Sequence, residues 1–122
     1  MPLTKEQAIA LFENAQKKIR KGDYEGCLKD STVFLSYCLE TRNKGGEGNA
    51  YANIGNAHNR LGNYQDALKY YHKDLEIALQ LGDKGGEGRA YGNIGLAHNN
   101  LGNYQDALKY NHKYLEIASQ LG

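Results

Sequence analysis

Tyr51–Gly82, YANIGNAHNRLGNYQDALKYYHKDLEIALQLG, returns one period of forty residues later as Tyr91–Gly122, YGNIGLAHNNLGNYQDALKYNHKYLEIASQLG. Extending the match back to Asn43 and Asp83 leaves mismatches only at 43/83, 49/89, 52/92, 56/96, 60/100, 71/111, 74/114 and 79/119. Self-similarity at a fixed period of this size marks a repeat architecture. Within each copy, apolar residues recur at helical spacing on either side of Leu-Gly-Asn-Tyr, which predicts two helices joined by a tight turn. A weaker copy precedes them: Gly22-Asp23-Tyr24, Leu28-Lys29 and Leu35 lie one period before Gly62-Asn63-Tyr64, Leu68-Lys69 and Leu75.

The chain therefore divides into residues 4–42, 43–82 and 83–122 within one domain. The predicted fold is all-α: a right-handed superhelical stack of three helical hairpins, six helices and no strand. One hairpin cannot bury its apolar side, whereas about three stacked hairpins form a continuous core.

Local signals set the helix ends. Thr4-Lys5-Glu6-Gln7 has the form of a capping box. Ala8, Leu11, Ala15 and Ile19 form the buried stripe of the first helix, widened by Ile9 and Phe12. Gly22 ends it and Asp23 caps the second helix, about Tyr24 to Thr41. Asn43-Lys44-Gly45-Gly46-Glu47-Gly48 reads as a glycine-rich loop running into the third helix. The third helix buries Ala50, Tyr51, Ile54, Ala57, His58 and Leu61, and Gly55 allows a close helix approach. Asn63 caps the fourth, which buries Ala67, Leu68, Tyr71, Leu75, Ala78 and Leu79.

Composition excludes several functions. A net charge of +1 with interleaved acidic and basic residues gives no polyanion-binding stripe. No apolar run approaches the roughly 20 residues that span a bilayer. Cys27 and Cys38 sit on one predicted helix about 16 Å apart at ~1.5 Å per residue, too far for a disulfide. Two buried free thiols suit a reducing compartment, so a cytoplasmic location is expected. Gly46-Glu47-Gly48 follows no strand and is not a dinucleotide fingerprint. His58, His72, His98 and His112 lack metal-ligand spacing, and no nucleophile sits in a catalytic motif. No enzyme activity, cofactor or metal is expected.

The hairpin pattern resembles the tetratricopeptide repeat. Tyr51, Ile54, Gly55, Tyr64, Ala67, Tyr71 and Leu75 match its positions in the second copy, as do Tyr91, Ile94, Gly95, Tyr104, Ala107 and Leu115 in the third. Departures fall at Asn111, where an aromatic is usual, and at Asp74 and Tyr114, where the family has alanine. The long period and the wording GEGRAYGNIGLAHNNLGNYQDAL are similar to the repeats of the Pins/LGN cell-polarity adaptors.

The face of each first helix turned away from its predicted core stands out. Asn49, Ala52, Asn53, Asn56, Asn59 and Arg60 share one stripe of the third helix. Arg89, Gly92, Asn93, Leu96, Asn99 and Asn100 share that of the fifth. Side-chain amides both donate and accept, so such a ladder can hold a peptide backbone whatever its side chains. Four of the mismatched pairs, 49/89, 52/92, 56/96 and 60/100, lie on this stripe. That is the pattern of a recognition groove after duplication, with drift on a solvent face as the alternative.

The resemblance implies a groove for a partner peptide, lined by the first helices. By family position, Asn53 and Asn93 would hold its backbone and Arg89 would meet acidic residues. Asn56 and Asn99 would hold the backbone too, Arg60 would add a second cation, and Asn49, Asn59 and Asn100 would be further polar contacts. Ile9 or Phe12, with Gln16 on the same stripe, would meet an apolar side chain. The lysine and asparagine of chaperone-tail binders are absent there.

The alternative is structural. Two near-identical copies and an end at Leu121-Gly122 with no polar capping helix fit a fragment or an engineered array. Tyr91, Ile94, Leu115, Ala118 and Leu121 would then be exposed, giving a homo-oligomer by end-to-end association or domain swapping.

Overall fold

The computed structural model describes residues 2–122 and contains six helices: α1 Lys5–Arg20, α2 Tyr24–Glu40, α3 Lys44–Arg60, α4 Tyr64–Leu81, α5 Lys84–Asn100 and α6 Tyr104–Leu121. Each helix packs on the one before it, so the chain is three consecutive hairpins stacked in order. The described residues include no strand.

Side-chain chemistry fixes most of the helix starts. Thr4 and Gln7 form the reciprocal capping box expected of them. Asp23, Asn43 and Asp83 each accept a hydrogen bond from the backbone N–H three residues on. Asn63 and Asn103 depart from expectation. Neither caps its helix; their amides lie 3.3 Å from Nδ1 of His58 and His98 instead. The turns use left-handed residues, among them Gly22 and Gly82, but Arg42 occupies that conformation at φ 56° where its counterpart one period later is Gly82.

The glycine-rich segment is helical rather than a loop. Asn43 starts α3, so Gly45, Gly46 and Gly48 lie in its first turns. Gly46 is there for proximity: a Cβ on it would sit 2.7 Å from Sγ of Cys38. Gly55 has the same role on a larger scale, because a Cβ there would lie 2.6 Å from the Tyr71 ring.

The core is built from small residues at helix crossings with a few large ones between them. Ala8, Phe34, Cys38 and Ala50 form one cluster, and Ala15, Cys27 and Ala57 a second. Ala67, Leu68, Tyr71, Ile94 and Ala97 join the second hairpin to the third. Cys27 and Cys38 are both free and buried. His58 and His98 are half-buried and stack on Tyr70 and Tyr110. Leu79, expected in the core, is exposed, as is Ile9. The counterpart of Leu79 is Ser119, which an exposed position accepts.

Candidate functional site

The first helices of the three hairpins, α1, α3 and α5, carry the residues singled out in the sequence. The stripe on α3 divides into two parts. In one part the side chains are buried or hydrogen-bonded within the protein. Asn53 is only 9% exposed and Ala52 is buried. Asn49 accepts from Nη1 of Arg89 at 3.3 Å, and Asn59 accepts from Nδ2 of Asn100 at 3.1 Å. Asn56 accepts from the Tyr71 hydroxyl at 2.7 Å. The amide ladder thus spends much of its hydrogen-bonding capacity between neighbouring hairpins. Asn53 keeps a buried Nδ2 with no partner among the described residues.

Arg89 does not stand free to meet a ligand's carboxylates. Its Nη2 lies 2.9 Å from Oδ1 of Asp74, whose side chain is 1% exposed. Burial raises the Asp74 carboxyl above its ordinary range, and the Arg89 hydrogen bond and charge pull it partly back. This pair explains why Asp74 stands where the resemblance calls for alanine: the carboxylate answers an arginine one hairpin further on.

Phe12 is likewise committed. It is half-buried and packs on Phe34 with ring centroids 5.0 Å apart, so it belongs to the core and not to an apolar ligand contact. Gln16 on the same helix is half-buried.

Three first helices do converge in one place. A concavity of about 300 Å³ is lined by Ile19 and Arg20 of α1, Asn56, Asn59 and Arg60 of α3, and Leu96 of α5. Arg20 and Arg60 are exposed, and neither is in an ion pair among the described residues. Each ends its helix, where a cation is favoured by the partial negative charge of the terminal carbonyls. Sequence reasoning placed Arg60 here but missed Arg20; Ile19, read as core, does pack on the cluster of Ala15, Cys27 and Ala57 while edging this concavity. The signal was the period itself, since positions 20, 60 and 100 form one column across the three first helices.

Asn93 and Asn99 lie elsewhere. With Arg89, Gly92, Leu96, Asn111 and Tyr114 they line a larger cavity of about 800 Å³ at the outer side of the third hairpin. Of the residues expected to be bare there, Leu115 and Leu121 are exposed, as is Ala118. Ile94 is not: it is 0% exposed, sealed against Ala67, Leu68 and Tyr71 by the second hairpin. Tyr91 is half-buried and packs on Tyr110 with centroids 6.2 Å apart.

No group of three or more His, Cys, Asp or Glu side chains suited to a metal ion occurs among the described residues, and no helix is long and apolar enough to cross a membrane.

Comparison with known proteins agrees with this geometry. A family model described as tetratricopeptide repeat matches residues 47–120. No curated protein matches the chain. Among solved structures, the chain is similar to the TPR domain of Arabidopsis FLU, with a TM-score of 0.90 and 22% identity. That match covers 95% of this chain and 98% of the other.

Proposed function

We propose that this chain, which belongs to the tetratricopeptide repeat family, is a non-catalytic binding module that holds an extended acidic peptide. The family is in general a protein-interaction scaffold, and the peptide's seat is the concavity between α1, α3 and α5. One observation carries the reading: two unpaired arginines, Arg20 and Arg60, flank the amides of Asn56 and Asn59 between two apolar side chains, Ile19 and Leu96. Arginine guanidinium matches carboxylate geometry, the amides suit a peptide backbone, and the apolar pair suits one aliphatic side chain. Asn93 and Asn99 belong to the outer cavity and not to this seat.

The test is a peptide-display selection on the folded chain, followed by anisotropy titration of the selected peptides. A charge-assisted hydrogen bond contributes about 1.5–3 kcal/mol, and every ~1.4 kcal/mol is ten-fold in affinity. Arg20→Ala/Arg60→Ala should therefore weaken binding about ten-fold or more, and added salt should weaken it further. Selection of peptides without acidic residues, or equal affinity for the double variant, would refute the assignment.

A further inference from the structure

Each polar side chain in the seat between α1, α3 and α5 has a hydrogen-bonding direction. Asn56 and Asn59 each carry an amide oxygen, which accepts, and an NH2, which donates. The oxygen of Asn56 is taken by the Tyr71 hydroxyl at 2.7 Å. Tyr71 is 0% exposed, and burial holds its phenol well above the usual range, so it keeps its proton and donates. The oxygen of Asn59 is taken by Nδ2 of Asn100 at 3.1 Å. What the two amides offer a ligand is therefore Nδ2. Arg20 and Arg60 carry only donors, and both stand outside the ion pairs of the described residues. Ile19 and Leu96 complete the lining, which includes no carboxylate.

A seat whose side chains donate and do not accept selects oxygen. A bare backbone segment presents N–H and C=O in turn, so its N–H groups find no partner among these side chains. One aspartate or glutamate brings two oxygens and one charge against two guanidiniums. A phosphomonoester brings three terminal oxygens and about −1.5 to −2 charges at neutral pH. Guanidinium also pairs with phosphate through two parallel hydrogen bonds.

We infer that the seat takes a phosphorylated serine or threonine of the bound peptide, held by Arg20 and Arg60 together with Nδ2 of Asn56 and Asn59. This rests on the reading of the concavity as the peptide seat and names the group that fills it. A side chain this short keeps its phosphate near its own backbone carbonyl, so a space of about 300 Å³ holds both. Ile19 and Leu96 then meet an aliphatic neighbour in the peptide. Tyr71 and Asn100 are positioning residues, because they fix which end of each amide faces the ligand.

Three fluorescein-labelled peptide pools test this on the full chain. Each has leucine beside a fixed central residue and random flanks, and the central residue is phosphoserine, aspartate or serine. By anisotropy the phosphoserine pool should bind about ten-fold or more tightly than the aspartate pool, and the serine pool more weakly than either. Arg20→Ala and Arg60→Ala should each weaken phosphoserine binding about ten-fold; both residues are exposed, and circular dichroism confirms each variant's fold. Asn100→Asp reverses the bond to Asn59 and turns that amide's oxygen to the ligand, so it should weaken phosphoserine binding with the fold intact. Phosphoserine binding should strengthen from about pH 5 to about pH 7, as the phosphate takes its second charge near a pKa of about 6, while aspartate binding should hardly change. The lining adds no titration there: α1 contributes Arg20, α3 Arg60, and α5 only Leu96. Equal affinity for the phosphoserine and aspartate pools, both lost in Arg20→Ala/Arg60→Ala, overturns the inference and leaves the acidic-peptide seat standing. Binding of neither pool, or phosphoserine binding that the double variant leaves intact, overturns both.

Discussion

Removing the Arg89 guanidinium leaves the carboxylate of Asp74 charged and almost sealed from water. Asp74 already has one oxygen, Oδ2, with no partner among the described residues. Breaking a buried pair by deleting one partner costs about 3–5 kcal/mol. The Arg89 side chain is 43% exposed, so solvent and α4 relaxation recover part of that, and about 2 kcal/mol is expected for Arg89→Ala. Unfolding entropy near 2.1 cal/mol/K per residue gives roughly 0.26 kcal/mol/K for this chain, so Tm should fall by about 8 °C. The sign of the pH dependence follows from the raised Asp74 carboxyl. A raised acid holds its proton more tightly folded than unfolded, so its charge costs stability above the folded-state pKa, and that cost fades as pH falls through it. Loss of Arg89 removes the two influences that hold this pKa down, so the variant's deficit should be largest at about pH 7 and shrink toward about pH 4. Adding Asp74→Ala should recover most of the lost stability by removing the charge. Thermal unfolding by circular dichroism across that pH range measures all of this. A Tm within about 2 °C of the parent, or a deficit that does not change with pH, would show that the pair contributes no more than an ordinary surface contact.

Three further substitutions follow from contacts within the hairpins. Gly55→Ala should destabilise by about 1–2 kcal/mol, since overpacking against the Tyr71 ring outweighs the ~1 kcal/mol gain in helix propensity. At Gly95 the added methyl meets mainly the end of the Asn111 side chain, so Gly95→Ala should be near neutral in the same melt. Arg42→Gly should stabilise by about 0.5–1 kcal/mol by relieving a left-handed arginine, as Gly82 does one period later. Burial, with Glu47 nearby, pushes the Cys38 thiol up to about 11, and burial raises Cys27 too. Both should resist an aromatic disulfide reagent in the native chain at neutral pH and react once denaturant is added.

Helix positions, turns and most of the core were legible because the period repeats them and each rests on local rules. Thr4 caps, Gly22 turns, and Ala67 and Ala97 sit where two helices cross; none of these needs a distant partner to be recognised. The glycine-rich segment was misread because glycine lowers helix propensity, and local propensity says nothing of Cys38 waiting where a side chain would go. Asn63 was misread for a similar reason. Its place before a helix predicts a cap, but His58, five residues back, offers a competing acceptor.

The stripe on α3 and α5 divided for a reason particular to stacked hairpins. A first helix in a stack has three faces, one against its own second helix, one against the next hairpin, and one open. Periodicity separates apolar from polar, but the face toward the next hairpin is lined here by small residues and amides, and it resembles a polar surface. The mismatches held the missing information, taken in pairs. The change at 49/89 accompanies the one at 74/114, and the structure joins Arg89 to Asp74. The change at 56/96 accompanies the one at 71/111, and the structure joins Asn56 to Tyr71. Residues that change together across a duplication are answering each other, which places positions 49 and 74 at the junction between hairpins and joins 56 to 71 within one hairpin. Only the column of Arg20, Arg60 and Asn100, with its neighbours Asn59 and Leu96, is left facing outward where three first helices meet. Part of the variation between the copies therefore lies where hairpins meet one another, as at Arg89 and Asp74, and part lines the candidate ligand seat, at Asn56, Arg60 and Leu96.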